Sequence, residues 1–249
     1  MIAQKLIPGE KNFHWRAGEI TRLEAFTDAV FAFAVTLLVV SLEVPKTFAE
    51  LVYAMKGFAA FAICFALLVQ VWYEHYIYSR RYGLQTLYTV FLNAVLLFVV
   101  LFYVYPLKFV FTLIVGQFSR GALATNRPED MIQIQQAPIL MLIYSLGFAA
   151  VFAVFALLYK YAYDQRKDLG LNEHESLRTL HSIYNHLFMA SLGIVVAVVA
   201  ISLPVQYGGS AGFLYFVIPG YYAIAGTIFG KRETAALERV QAEADHAHD

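Results

Sequence analysis

From Ala25 to Val44 the chain is apolar except for two charged residues, Asp28 and Glu43. A carboxylate inside a bilayer is costly unless it is paired, so Asp28 marks either a helix cap or a functional site. His75 and Asn93 are polar residues of two other apolar blocks. A carboxylate and an imidazole that trade protons, oriented by an amide, would make a proton-coupled transport site, and a secondary transporter using Asp28 and His75 is one reading. Covalent or metal chemistry finds less support. Ser191 and Ser202 have no evident base, there is no His-x-x-Glu-His, and the single Cys64 excludes a multi-cysteine metal site. His75 and His186 fall near matching helix ends, but His75 is better matched to Asp28 than to haem, and His181 and His186 read as interfacial polar residues. The sequence therefore predicts no enzyme, no cofactor and no fixed metal ligands.

The elements that must position these residues are membrane helices. Of 249 residues 60% are hydrophobic and only 14% charged, the mean hydropathy is +0.60, and the apolar residues fall into blocks. That composition excludes an ordinary soluble domain, and a net charge of zero gives no sign of a nucleic-acid partner. A hydrocarbon core of about 30 Å needs about 20 helical residues. Six blocks qualify, at about Ala25–Val44, Gly57–Tyr78, Leu87–Val110, Ile139–Tyr161, Tyr184–Leu203 and Gly212–Phe229. Pro45 stops the first and Pro106 predicts a kink in the third. The segment Gly116–Gln136 reads as an external loop, and Val205–Gly209 as a turn. Residues 1–21 lack the order of a cleaved signal peptide and read as an N-terminal extension; 22–230 form the membrane domain; 231–249 form a tail with a short amphipathic helix around Ala236 and Val240.

The basic residues set the orientation. Arg16, Arg22, Arg80, Arg81, Arg166, Lys167, Lys231 and Arg232 fall on one side, against Lys46, Lys56, Lys108, Arg120 and Arg127 on or toward the other. The bias predicts a multi-pass protein of the cell membrane with both termini cytoplasmic, as an even number of spans also requires.

At about 100° per residue, Arg22, Phe26, Phe33, Leu37 and Val40 lie within an arc of roughly 60°, and Asp28 points about 140° away from Phe33, with Thr36 between. One face is thus a bulky apolar ladder with a guanidinium at its foot; the other carries the acid. Taken singly, these residues also suit a lipid-facing surface, a cap at Thr27 or Asp28, and a basic anchor at Arg22.

Taken together, Arg22, Phe26, Thr27 and Asp28 resemble the Arg-x-x-x-Phe-Ser-Asp signature of the endolysosomal potassium channel family called transmembrane protein 175, in its prokaryotic branch. Trp72, His75 and Asn93 resemble that family's recurring Trp-x-x-His and Asn positions. The likeness covers essentially the whole membrane region and leaves out the N-terminal extension, the tail and the loop near Arg127. It implies an all-α polytopic membrane protein with six helices per chain, assembled as a homotetramer whose first helices line a central pore. It implies a potassium-permeable channel, with other monovalent cations or protons as further candidates. Carried over by position, Phe33, Leu37 and Val40 form the constriction with Thr36 beside it. Arg22, Thr27 and Asp28 hold the cytoplasmic ends together through bonds toward Trp72, His75 and Asn93. Two departures stand out: Thr27 replaces Ser but keeps its hydroxyl, and Phe33 stands where Ile or Leu is usual, so four phenyl rings that rotate into two pore widths face each other.

A ring of side chains without oxygens cannot replace an ion's hydration shell; it admits ions that tolerate partial dehydration and closes by dewetting. Potassium is cheaper to strip than sodium, so modest selectivity is expected. No T-V-G-Y-G filter is present; the nearest fragment, Val205 to Gly209, lacks its Thr and its spacing.

Overall fold

The computed structural model describes residues 12–40, 45–123, 125 and 131–246. The end of the first predicted span, the loop around Arg127 and the side chain of Val40 lie outside the described residues. Among the described residues seven α-helices run in the order α1 (Arg22–Val40), α2 (Phe48–Met55), α3 (Phe58–Tyr82), α4 (Leu87–Phe118), α5 (Ala137–Asp164), α6 (Glu173–Ser202) and α7 (Val217–His246). Three-ten turns at Ile134–Gln136 and Val205–Phe216 lead into α5 and α7.

Local chemistry explains the boundaries. Thr21 Oγ1 accepts from the Glu24 amide at 3.1 Å and Glu24 Oε2 accepts from the Thr21 amide at 2.9 Å, a reciprocal capping box that starts α1. The cap is therefore Thr21, and neither Thr27 nor Asp28: Thr27 Oγ1 instead donates back to the Leu23 carbonyl at 2.8 Å, fully buried. Gly83, at φ +59°, ends α3 in the left-handed conformation that glycine adopts without a Cβ penalty. Asn172 and Glu175 form a second capping box that starts α6 eleven residues before the apolar block at Tyr184. Gly208, Gly209 and Gly212 fall within Val205–Phe216, so the stretch expected to begin the last span is wound as three-ten turns and α7 starts only at Val217. No glycine or proline interrupts the chain beyond Gly230, and α7 continues as one helix to His246.

Five helical stretches among the described residues are long and apolar enough to cross a membrane: Phe58–Tyr82, Leu87–Phe118, Ile134–Asp164, Glu173–Ser202 and Val205–Ala242. At 1.5 Å per residue the 19 described residues of α1 add a further helix of about 28 Å. The most extensive pairing joins α5 and α6, brought close at Gly193, where a Cβ would stand 2.8 Å from the Ser145 carbonyl oxygen. One core joins α1, α3, α4 and α5 through Leu38, Leu68, Leu96, Val104 and Leu158; a smaller one gathers Leu192, Val196, Ala200 and Ala211. α4 turns Phe91, Phe98, Phe102, Tyr105 and Phe109 outward at helical spacing, an exposed apolar stripe suited to lipid.

Candidate functional site: the exposed face of the first helix

α1 packs on α3 and α4 through Thr27, Phe31, Ala34 and Leu38, all buried, and turns Arg22, Phe26, Ala29, Phe33 and Thr36 away from the bundle. This outward stripe repeats every three or four residues, as one helix face must. Phe33 is 56% exposed and Phe26 60%. Thr36 is exposed on the same face, and its hydroxyl donates to the Phe33 carbonyl at 2.7 Å. Leu37 lies at the edge of the stripe, half-buried against the main core. The outward arc is therefore centred nearer Ala29 and Thr36 than the Phe33–Leu37 ladder suggested.

The polar residues behind this face fall into two pieces. Asp28, exposed at the surface of the single chain, accepts a 2.8 Å hydrogen bond from the Trp72 indole N–H. Three residues further along α3, His75 is buried and lies 2.5 Å from Asn93 Oδ1, while Asn93 Nδ2 donates to the Thr89 carbonyl at 2.8 Å. Phe31 of α1 packs its ring 6.2 Å from the His75 ring, so the two pieces touch through an apolar contact. Arg22 is exposed and has no hydrogen-bond or ion-pair partner among the described residues. The foot of α1 is held instead by Arg80, 3.8 Å from Glu24 and bonded to the carbonyls of Ala17 and Gly18.

Two contacts were not anticipated from the sequence. Lys108, inside α4, donates to the Leu38 carbonyl near the far end of α1 at 2.6 Å. The described part of the N-terminal extension, residues 12–21, is docked on the bundle: Phe13 is buried in the core, and Arg16 pairs with the buried Glu175 at 2.6 Å. A lysine inside an apolar block was the signal for the first, since such a group must find a partner. The Asn172-x-x-Glu175 spacing accounts for a cap but not for Arg16. Among the described residues no group of three or more His, Cys, Asp or Glu stands ready for a metal ion.

A bundle of long apolar helices, with a first helix that leaves a mixed apolar and polar face outward, defines a polytopic membrane protein. The family described as endosomal/lysosomal potassium channel TMEM175 matches residues 22–103, a stretch holding α1, α3, Asp28, Trp72, His75 and Asn93. A potassium channel of Marivirga tractuosa is 38% identical over 235 residues, 91% of this chain and 94% of that protein. The crystal structure of a threonine-to-alanine variant of the potassium channel MtTMEM175, in complex with a nanobody–MBP fusion, superposes with a TM-score of 0.79 at 38% identity and covers 88% of this chain and 97% of that one. A lysosomal potassium-selective channel TMEM175 homologue from Chamaesiphon minutus shares the fold, with a TM-score of 0.50 at 21% identity over 85% of this chain and 96% of that one. The chain belongs to the TMEM175 family of potassium channels.

Proposed function

We propose that four copies of this chain, each with six membrane spans, form a cell-membrane channel that passes potassium passively through an apolar constriction made by their first helices, with both termini cytoplasmic. The family's function is potassium conduction. The observation that carries the reading to α1 is the composition of its outward face. Arg22 and Thr36 share that side of the helix with Phe26 and Phe33, and Asp28 is exposed on the flank beside α3. A surface meant for hydrocarbon would leave Arg22 and Asp28 in lipid at a cost of several kcal/mol each. Other subunits and a water-filled path remove that cost.

In this arrangement Phe33 forms the narrowest layer, with Leu37 edge-on and Val40 beyond it, and Thr36 supplies the polar group beside the constriction. The ring holds no fixed ligand for potassium, so ions pass partly hydrated and selectivity over sodium is modest. Asp28 and Trp72 hold α1 against α3, and His75 with Asn93 holds α3 against α4. The separation of Asp28 from His75 supports a scaffold better than a shared proton site.

The test is the bi-ionic reversal potential of purified protein in planar bilayers, potassium on one side and sodium on the other. A reversal displaced toward the potassium potential, with Phe33→Ser and Leu37→Ser altering both current and ion ratio, supports the constriction. Currents indifferent to both substitutions would remove the constriction from α1. Substrate-dependent proton flux without passive current would make the chain a transporter.

A further inference from the structure

No residue of α2 is buried, although Phe48, Leu51, Val52 and Met55 are all large and apolar. These four stand at i, i+3, i+4 and i+7, and so fall within an arc of about 100° on one face of the helix. Phe48 is 80% exposed and Met55 59%. Tyr53 points about 150° away from the centre of that arc. Its hydroxyl donates to the carbonyl of Thr125, in the chain that follows α4. The helix is thus held from behind, and its apolar face looks away from the hold.

Depth and charge identify what covers this face. α3 carries Arg80 and Arg81 in its last turn. From Tyr78 back to Phe58 it rises about 30 Å, the thickness of a hydrocarbon core. Only Lys56 and Gly57 separate Phe58 from α2, which therefore lies at the headgroup layer opposite Arg80 and Arg81. Lys46 precedes the helix and Lys56 follows it, so a cation stands at each end, at the depth of lipid phosphates. The acidic group is turned the other way: Glu50 points about 150° from the centre of the apolar arc, and its Oε2 accepts from the Lys46 amide at 2.7 Å. The four apolar side chains expose on the order of 500 Å², short of the about 800 Å² that each partner gives to a standard protein interface. A bilayer surface sets no such minimum for a helix already tethered to a membrane span, because apolar burial and attraction between lysine and phosphate act together.

We propose that α2 is an interfacial helix whose partner is the lipid surface. It lies in the plane of the headgroup layer, with Phe48, Leu51, Val52 and Met55 sunk to the acyl boundary and Lys46 and Lys56 against lipid phosphates. The membrane surface then anchors the start of α3. This placement rests only on α3 crossing a membrane and is read without conduction, so its failure is distinguishable from failure of the channel reading.

The experiment is spin labelling of the full chain in vesicles of phosphatidylcholine and phosphatidylglycerol, with nitroxides placed singly at Leu51→Cys, Met55→Cys and Glu50→Cys. Cys64 is buried, so the native background serves, with the unsubstituted chain as the control for stray labelling. Paramagnetic relaxation by oxygen, which enters hydrocarbon, is compared with that by a nickel chelate, which stays in water. The oxygen-to-nickel ratio at Leu51→Cys and Met55→Cys is expected to exceed that at Glu50→Cys by about threefold or more. Reversing both end charges, Lys46→Glu with Lys56→Glu, is expected to lift the helix and lower the ratio at Leu51→Cys by about twofold. Equal ratios at the three positions would place the whole helix in water and overturn the proposal. Labels at Leu51→Cys and Met55→Cys shielded from both reagents would overturn it as well, because a second copy of the chain would then cover the face. A ratio unmoved by the charge reversal would overturn the contact with phosphate, and with it the in-plane placement.

Discussion

The ammonium of Lys108, on α4, is hydrogen-bonded at 2.6 Å to the backbone carbonyl of Leu38, whose side chain is fully buried. A cation at this end of α1 complements the negative pole of the helix dipole and ties α1 to α4 at the end opposite Arg80. α1 is thus fastened at both ends, at its foot by Arg80 and Glu24 and near its last described turn by Lys108.

Lys108→Met keeps the length and removes the charge. The loss expected is about 1.5–3 kcal/mol, the range for a hydrogen bond to a charged group, read as a lower unfolding temperature in detergent. Under the channel reading a loosened α1 also narrows the difference between potassium and sodium currents. Lys108→Arg, which keeps a donor, is expected to restore both; if Met and Arg behave alike, the tie has no role.

The Trp72–Asp28 bond is open to a double-mutant cycle. Trp72→Phe removes the indole N–H and leaves a ring to pack; Asp28→Asn removes the charge and keeps an acceptor. Because Asp28 is exposed in the single chain, water weakens the bond, and a coupling energy of about 1 kcal/mol is expected in place of the larger value of a buried charged pair. Additive effects in chemical denaturation would show that the two side chains are neighbours without being partners.

How these pairs divide shows what the sequence could convey. The residue types that carry the family signature were all legible, and so were the apolar blocks, because spanning hydrocarbon demands long apolar runs. Depth and direction were not. Trp72 and His75 are three residues apart on α3, about 60° around the helix, which suffices to turn one toward Asp28 and the other into α4. Lys108 bonds to a backbone carbonyl, which leaves no complementary side chain for a reader to find. The start of α6 at Glu173 and the short α2 follow from Asn172-x-x-Glu175 and Thr47-x-x-Glu50, cap patterns that hydropathy does not register.

The buried His75–Asn93 pair makes a sharper stability prediction. Asn93→Leu leaves the imidazole without its partner in a closed core, and an unsatisfied buried polar group costs about 1–3 kcal/mol. Adding His75→Phe to Asn93→Leu is expected to recover part of that loss, because an apolar pair of similar shape leaves no polar group stranded. Thermal unfolding of the single and double variants distinguishes this from a simple packing defect, in which the double variant would be the worse of the two.

Arg16 and Glu175 carry the final prediction, which concerns the N-terminal extension. Glu175 is 1% exposed and serves two structures at once. It closes the cap of α6 by accepting from the Asn172 amide at 3.1 Å, and it receives the His14 amide at 2.7 Å and the Arg16 guanidinium at 2.6 Å. Arg16 also reaches the carbonyls of Leu169 and Gly170, so a single guanidinium fastens the extension to the α5–α6 turn. Removing one partner of a buried ion pair strands the other, at a cost of about 3–5 kcal/mol. Arg16→Ala is therefore expected to be strongly destabilising, and Glu175→Gln milder because the amide still accepts the α6 cap bond. Hydrogen exchange gives the local readout: the amides of Arg16 and Ala17, which donate to the carbonyls of Arg81 and Arg80 at 3.3 Å, should lose protection in Arg16→Ala while the middle of α4 keeps it. Retained protection at Arg16→Ala would mean that Phe13 and Trp15, packed against Tyr82 and Tyr76, dock the extension without the ion pair.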